Sequence, residues 1–260
     1  MSSKKAVLFS ETKMEEWVYK SPVKNSRNGL NLFIDASKTN QSSVKVQFPK
    51  CRCPFGIQEK KADATEFSRR NLELSADDEA MQKWVAAFDD LNCRMAAENS
   101  EEWFRKKLSK EALGELYRQC LQVSTKDPDK FAPLVRVKVS ETGKNPTNIF
   151  VVYKDGETEK YKRGSVDDLN RNCYVVPQFE VSGLWFVSKG FGATLVCTDL
   201  LVWPAEEEEE FGFVGFGGLT KGEADADEPA AKRHRAEDDE SAAAPAASSA
   251  SLFGGGAPIE

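Results

Sequence analysis

The sequence has 260 residues, of which 36 are Lys or Arg, 42 are Asp or Glu and one is His, which gives a net charge of −6. Because the one histidine, His234, lies near the C-terminus, the rest of the chain lacks histidine-based acid–base and nucleophilic chemistry. The sequence contains no GxxxxGK[ST] phosphate loop, no nucleophile elbow and no HExxH motif. These features argue against an enzyme.

Two strands are predicted in the first fifty residues. Residues 29–36 and 44–48 alternate apolar and polar side chains, with Lys45 facing outward in the second strand. Lys50 and Arg52 follow in a compact, turn-like stretch that contains Pro and Gly.

The spacing of apolar residues becomes helical after residue 75. Apolar side chains that recur every three or four positions predict one helix to about residue 97 and a second from Ser100 to about residue 121. We therefore expect a helical insertion at about 76–122, and we interpret its aromatic side chains as core.

The pattern then returns to the period of two that is typical of strands. Strands are predicted at 134–140, 147–154 and 157–163, with Asp155-Gly156 as a hairpin turn. The richest run of strand-forming residues, Cys173 to Trp203, ends at Pro204 and is predicted to close the domain. Residues 1–204 are thus expected to form a β-rich α+β domain, an OB-fold-like Greek-key barrel with a helical insertion.

The charge is divided unevenly along the chain. Residues 205–260 hold 14 acidic and four basic residues, a net charge of −10, which leaves 32 basic and 28 acidic residues, a net of +4, in residues 1–204. The composition predicts a disordered acidic C-terminal tail over 205–260. Glu206 to Glu210, followed by Phe and Gly, combine negative charge with rings as single-stranded DNA does, so we expect the tail to compete for the basic domain or to recruit replication proteins. The alternatives are a solubilising tail and an acidic linker of the kind that histone chaperones carry.

Cations and aromatic residues are interleaved in the basic domain, a combination that binds single-stranded nucleic acid. Because Trp185 and Phe186 are neighbours in a predicted strand, they cannot both face the core. The alternative is that the aromatic residues fill a β core beside a charged surface. The residues that we predict to contact nucleic acid are Lys45, Lys50, Arg52, Tyr153, Lys154, Tyr161, Lys162, Arg163, Phe186, Lys189 and Phe191.

The six cysteines do not indicate a metal site. Cys51 and Cys53 form the only close pair, without a second pair at zinc-site spacing, so we expect no metal and no cofactor. The N-terminus lacks a secretory signal and no apolar run reaches transmembrane length, so we expect reduced intracellular thiols and no membrane partner. A further alternative is an enzyme that uses carboxylates, for example Asp167 and Asp168, but adjacent residues on a turn seldom converge on one substrate atom.

A short basic segment lies inside the acidic tail. Lys232, Arg233 and Arg235 match the K-[KR]-x-[KR] pattern of nuclear import signals, which predicts an import receptor as partner and a nuclear location. The alternative is a break in the acidic run that balances charge.

Two local motifs carry a family resemblance. Phe55-Gly56-Ile57 follows Pro49, and a G-x-W-x-x-x-K-x-F-G pattern runs from Gly183 to Gly192. With the acidic tail, these resemble the single-stranded DNA-binding proteins of nucleocytoplasmic large DNA viruses, which look related to the OB-fold proteins of tailed phages with acidic, aromatic-tipped C-termini. The resemblance implies a barrel groove that binds single strands, a tail that regulates binding and recruits replication enzymes, and a host nucleus if the protein is viral. Because this chain ends in Gly-Gly-Ala-Pro-Ile-Glu, the recruiting role falls instead to residues 206–216.

The sequence therefore favours a non-enzymatic protein that binds single-stranded DNA in replication, recombination or repair. The alternative is a protein-interaction or virion structural protein with an acidic, chaperone-like tail.

Overall fold

A long antiparallel hairpin near the C-terminus organises the fold. The structure, a computed structural model, describes residues 5–25, 29–60, 69–127 and 130–205. In this part of the chain the strands are β1 Val7–Leu8, β2 Val18–Tyr19, β3 Val23–Lys24, β4 Leu30–Leu32, β5 Ile34–Asp35, β6 Val44–Gln47, β7 Cys51–Cys53, β8 Arg70–Ser75, β9 Tyr117–Arg118, β10 Leu121–Gln122, β11 Leu134–Val139, β12 Asn148–Asp155, β13 Thr158–Arg163, β14 Cys173–Val187 and β15 Gly190–Trp203. The helices are α1 Glu79–Glu98, α2 Ser100–Phe104 and α3 Lys110–Leu116, with 3-10 turns at Phe9–Glu11, Met14–Glu16 and Val166–Asp168.

The two strands of the hairpin, β14 and β15, each carry a series of shorter strands on their outer edges. Along β14 the partners are β7, β6 and β4, all antiparallel. Along β15 the partners are β12, β11 and β9, all parallel. In the described residues, the hairpin therefore joins early strands of the chain on one edge to later strands on the other edge.

Part of this sheet curls into a barrel. Strand β11 pairs antiparallel with β8, and a bridge between Ile57 and Leu72 joins β8 to the segment after β7. The barrel has five strands, which are β6 and β7 taken as one interrupted strand, then β8, β11, β14 and β15. Numbered one to five in chain order, they are neighbours around the barrel in the order 1-2-3-5-4, and the fourth pairs with the first. This is the order of an OB-like Greek-key barrel, as the sequence predicted. Val135, Val137 and Val139 of β11 are completely buried, as their alternation requires.

Irregularities in the hairpin let it bend from the barrel to the helices. The register shifts between Gln178 and Phe179 and again between Val181 and Gly183, and such bulges increase the local bend and twist of a strand. Gly183 has a φ of 126°, and a Cβ atom there would collide with the carbonyl oxygen of Leu32. Only glycine fits this position, where the backbone of β14 passes close to β4.

Helix α1 packs on the inner face of the hairpin. Its N-cap is Asp78, whose carboxylate accepts a hydrogen bond of 2.8 Å from the amide of Met81. The Trp84 ring lies 5.4 Å from that of Phe48 and 6.4 Å from that of Phe179, measured between ring centroids. The predicted aromatic stripe of this helix is therefore core.

The second predicted helix is wrong in its extent. Arg105 adopts a left-handed conformation with φ of 60° and ends α2, and α3 begins after the N-cap Ser109. From Tyr117 the chain is extended, because β9 pairs with the first residues of β15 and β10 pairs with β11. The buried carboxylate of Asp89 fixes this change by accepting hydrogen bonds from the amides of Cys120 and Leu121.

No helix in the described ranges is long and apolar enough to span a bilayer. The predicted acidic tail from residue 206 onward, including the predicted import signal, lies outside the described residues.

Candidate nucleic-acid interface

The outer face of the open end of the hairpin carries rings and cations side by side. In β14, Cys173 and Val175 are completely buried, whereas Tyr174 between them is 45% exposed. Trp203 of β15 lies directly opposite Tyr174, and Arg52 of β7 lies opposite it on the other side. Because residues paired across strands share a face, these three side chains form one row.

Lys50, in the loop before β7, lies over this row. Its ammonium nitrogen is 3.9 Å from the centroid of the Trp203 ring and 5.5 Å from that of Tyr174. Such cation–π contacts hold a positive charge beside an aromatic face. The indole nitrogen of Trp203 donates a hydrogen bond of 3.3 Å to Glu159 in β13, which fixes the edge of the ring.

The β12–β13 hairpin extends the same face. Phe150 is paired with Leu201, two residues before Trp203. The Phe150 ring lies 5.8 Å from the ring of Tyr161, and the guanidinium carbon of Arg163 lies 5.4 Å from the Phe150 centroid. We call the combined patch the aromatic–cation surface; it consists of Lys50, Arg52, Phe150, Tyr161, Arg163, Tyr174 and Trp203.

On another face of the barrel, the basic side chains form ion pairs with acidic ones. On β8 and β11, the face that many OB folds use for oligonucleotides, Arg136 pairs with Glu73 at 3.0 Å. At one end of this face Arg70 pairs with Glu141 at 2.8 Å. Burial raises the pKa of Glu141, but hydrogen bonds from Lys60 and Arg70 outweigh it and hold that pKa below its ordinary value. These ion pairs offset much of the positive charge that a phosphate would meet there.

A protein-family model matches residues 61–214, more than half of the chain, and its description is "Family of unknown function (DUF5871)". The chain belongs to this family. A search of curated proteins finds no match to the sequence.

This DUF5871 chain is similar to solved structures of phage proteins. The single-stranded DNA-binding protein from bacteriophage Enc34, in a C-terminally truncated form, is 12% identical, with a TM-score of 0.41 over 74% of this chain and 98% of that one. The same protein in complex with single-stranded DNA has a TM-score of 0.40 at 11% identity, over 74% and 98% of the two chains. The single-stranded DNA-binding protein gp2.5 of bacteriophage T7 has a TM-score of 0.36 at 11% identity, over 66% and 99%. The resemblance to proteins of nucleocytoplasmic large DNA viruses stays a prediction.

Four of the predicted contact residues lie on the aromatic–cation surface of the DUF5871 chain. They are Lys50, Arg52, Tyr161 and Arg163. Lys154 is exposed. By the alternation of β12 it lies on the same face as Phe150, closer to the tip of the β12–β13 hairpin. Lys45 is half-buried on the outer face of β6, where it lies opposite Glu180 of β14. The contact of these residues with nucleic acid stays a prediction.

Two predicted residues lie on the opposite face of the β12–β13 hairpin. Tyr153 and Lys162 alternate with Val152 and Tyr161, so they point away from the aromatic–cation surface. They contact each other, with the Lys162 ammonium 5.7 Å from the centroid of the Tyr153 ring.

The prediction that Phe186 and Phe191 stack on bases is wrong. Their rings are 6% and 0% exposed and stack on each other with centroids 5.7 Å apart. Phe104 of α2 lies against both, at 5.4 Å and 5.2 Å, because the helical insertion covers the inner face of this end of the hairpin. Lys189 is exposed in the turn between β14 and β15, at the other end of the hairpin from Trp203.

Sequence reasoning missed Phe150, Tyr174 and Trp203. Tyr174 and Trp203 each lie next to a buried valine in a strand, so alternation would have placed both outward. No sequence signal near Phe150 identifies it as part of this surface, because its position opposite Leu201 depends on the pairing of β12 with β15.

Cys51 and Asp168 have structural roles. Burial, with a smaller effect of Asp77 and Asp78, raises the pKa of Cys51 to about 12, which keeps the thiol protonated and unreactive. Asp168 accepts a hydrogen bond of 2.7 Å from the amide of Ser165 in a capping box, so its carboxylate caps the N-terminal end of a 3-10 turn. Among the described residues, no group of three or more His, Cys, Asp and Glu side chains is placed to hold a metal ion.

Proposed function

We propose that this protein binds single-stranded DNA through the aromatic–cation surface and acts in DNA replication, recombination or repair without catalysing a reaction. The observation that carries the proposal is the row formed by Arg52, Tyr174 and Trp203, with the ammonium of Lys50 above the Trp203 ring. Half-exposed rings flanked by cations have no role in the core, which the opposite face of the same strands fills.

The physical match is to an unpaired strand. Aromatic side chains stack on bases, with about 1–3 kcal/mol for each stacked base, while cations follow the phosphates. In a duplex the base faces are already stacked on their neighbours, so the rings of Tyr174 and Trp203 would gain little. We therefore expect single strands to bind more tightly than duplexes of the same length.

We further propose that the acidic tail regulates this binding and recruits replication proteins. Glu206 begins three residues after Trp203, a reach of at most about 10 Å for an extended chain. Five consecutive glutamates thus follow Trp203 closely in sequence, which tethers their negative charge to the domain that carries the cations. Competition between the tail and DNA follows from this charge complementarity.

We also propose that Lys232, Arg233 and Arg235 bind a nuclear import receptor and direct the protein to the nucleus. A fluorescent fusion of the full chain should enter nuclei, and the same fusion with these three residues changed to Ala should not. Equal nuclear entry by both fusions would contradict this role.

The binding proposal is tested by fluorescence anisotropy with single-stranded DNA, duplex DNA and single-stranded RNA of equal length at two salt concentrations. We expect saturable binding of the single-stranded DNA that weakens steeply with salt. Trp203→Ala should weaken it by roughly fivefold to 150-fold, the loss of one stacked base. Absence of binding to single-stranded DNA at low salt would contradict the proposed function and would favour a protein-interaction role.

A further inference from the structure

Another half-buried ring, that of Trp185, lies on the outer face of the hairpin, far from the aromatic–cation surface. In β14, Leu184 and Phe186 are buried at 2% and 6% exposure, whereas Trp185 between them is only half-buried. Because the bulge between Val181 and Gly183 shifts the alternation by one residue, the indole points to the same outer face as Tyr174, eleven positions earlier in the strand.

Glycine leaves room for this indole on the neighbouring strand. Gly192 of β15 lies directly opposite Trp185, and a Cβ atom at Gly192 would lie 2.9 Å from Cζ2 of the indole. The same Cβ atom would lie 3.2 Å from Cβ of Arg118, which β9 places next to Gly192 in register. The ring thus reaches across Gly192 on the surface of the sheet, with an arginine side chain beside it.

The inner face of this end of the hairpin has no space for the indole. Phe186 and Phe191 stack there at 5.7 Å, and the ring of Trp103 lies 5.8 Å from that of Phe186. Packing of the core therefore does not account for an outward tryptophan, since its neighbours Leu184 and Phe186 already supply the buried contacts.

A polar path connects the two half-buried tryptophans, Trp203 and Trp185. Between them the outer face of β14 presents Gln178, which donates a hydrogen bond of 2.9 Å to Gln47, and Glu180, which lies opposite Lys45. The distance from Tyr174 to Trp185 along the strand is about 36 Å at ~3.3 Å per residue. At the ~3.4 Å spacing of stacked bases this corresponds to about eleven nucleotides, within the range of roughly 4–16 that OB folds occupy.

We propose that Trp185 is a second base-stacking platform and that one single strand runs along the outer face of the hairpin from Trp203 to Trp185. The inference rests on the proposed function and extends it, because it assigns a length and a path to the bound strand. Arg118 and Lys189, at the same end, supply positive charge for the phosphates near the distal platform.

Dependence on oligonucleotide length tests the proposal. Anisotropy titrations of the full chain would use oligothymidines of about 4 and about 16 nucleotides, the limits of OB-fold site sizes. Trp185→Leu, which keeps apolar bulk but removes the ring, should weaken binding of the longer strand by roughly fivefold to 150-fold and leave the shorter strand unchanged. Trp185→Phe, which keeps a ring, should restore most of the affinity for the longer strand. Trp203→Ala should weaken both.

The outcomes separate the two proposals. If Trp203→Ala weakens the longer strand and Trp185→Leu does not, the proposed function holds and the distal platform is wrong. A docking site for a protein, formed with the exposed side chains of Phe33 and Val187, would then explain the outward indole. If the wild-type chain binds neither oligonucleotide, both proposals fail. Equal loss of affinity in Trp185→Leu and Trp185→Phe would also overturn the inference, since stacking requires only a ring.

Discussion

The ammonium of Lys50 lies 3.9 Å from the centre of the Trp203 ring, although the two residues are separated by most of the domain in sequence. Strand β14 joins them, since it pairs with β7 on one edge and with β15 on the other. The contact places a positive charge over the face of the Trp203 ring. Under the proposed function, the ammonium would leave this face for a phosphate when a base stacks on the ring.

Removal of the Lys50 charge should change the salt dependence of binding. Lys50→Met is expected to reduce the slope of log affinity against log salt by about 0.7, the value for one phosphate contact on a single strand. Lys83→Met is the matched control, because Lys83 is an exposed lysine on α1 that pairs with Glu79 at 2.7 Å. Anisotropy titrations over a salt series measure both slopes, and an equal change in the two variants would indicate a general charge effect.

The two tyrosines of the β12–β13 hairpin should differ in their effect on binding. Tyr161 is 70% exposed on the aromatic–cation surface, and Tyr153 is 40% exposed on the opposite face. Tyr161→Ala should weaken binding of single-stranded DNA by roughly fivefold to 150-fold, and Tyr153→Ala should have little effect. Equal losses in the same titration would show that the strand contacts both faces of the hairpin.

Phe191 should contribute to stability and not to binding. Phe191→Ala removes a completely buried ring and is expected to lower the free energy of unfolding by about 3–5 kcal/mol. Val187→Ala, at an exposed position of the same hairpin, should change it by less than about 0.5 kcal/mol. Urea unfolding gives both values. A Phe191→Ala variant that is as stable as the wild type but has lost DNA binding would indicate that the Phe191 ring contacts DNA.

The buried carboxylate of Asp89 should make stability depend on pH. Burial raises its pKa, and hydrogen bonds from Tyr117, Cys120 and Leu121 only partly oppose this effect. Because the folded state then binds the proton more tightly than the unfolded state does, the contribution of Asp89 is fully present below the unfolded pKa of about 3.9 and is lost as pH rises through the raised value. The difference in unfolding free energy between the wild type and Asp89→Asn should therefore shrink as pH rises from about 4.

Urea titrations at several pH values measure this difference. Asp90→Asn, on the exposed side of the same helix, controls for the loss of one negative charge. A difference between the wild type and Asp89→Asn that grows with pH would contradict the assignment, because it would require a lowered pKa.

Deletion of residues 206–260 should tighten binding of single-stranded DNA at low salt, because it removes the competing carboxylates. Replacement of Glu206 to Glu210 with Gln in the full-length chain should have a similar effect and keeps the length of the chain. Unchanged or weaker binding of both variants in salt-matched titrations would exclude competition by the tail.

Local chemistry made much of the fold predictable. The alternation of Val135, Val137 and Val139 with polar residues predicted which face of β11 is buried. The Asp155-Gly156 pair predicted the turn after β12. Helix α1 was predictable because its apolar face repeats at helical spacing. Each of these signals acts within a few residues and does not depend on the remainder of the chain.

The sequence by itself determined the β-rich domain, its helical insertion and the mixture of rings and cations that suggests a bound strand. Alternation also determined that Trp185 and Phe186 point to opposite faces, but not which of them is buried. Only the tertiary structure decided that, because α2 places Phe104 against Phe186 and leaves Trp185 outside. The contacts of Trp203 were decided in the same way. Lys50 can reach its ring only because β14 pairs with β7 on one edge and with β15 on the other. A face is buried or exposed according to what packs against it, and that depends on contacts between segments distant in sequence.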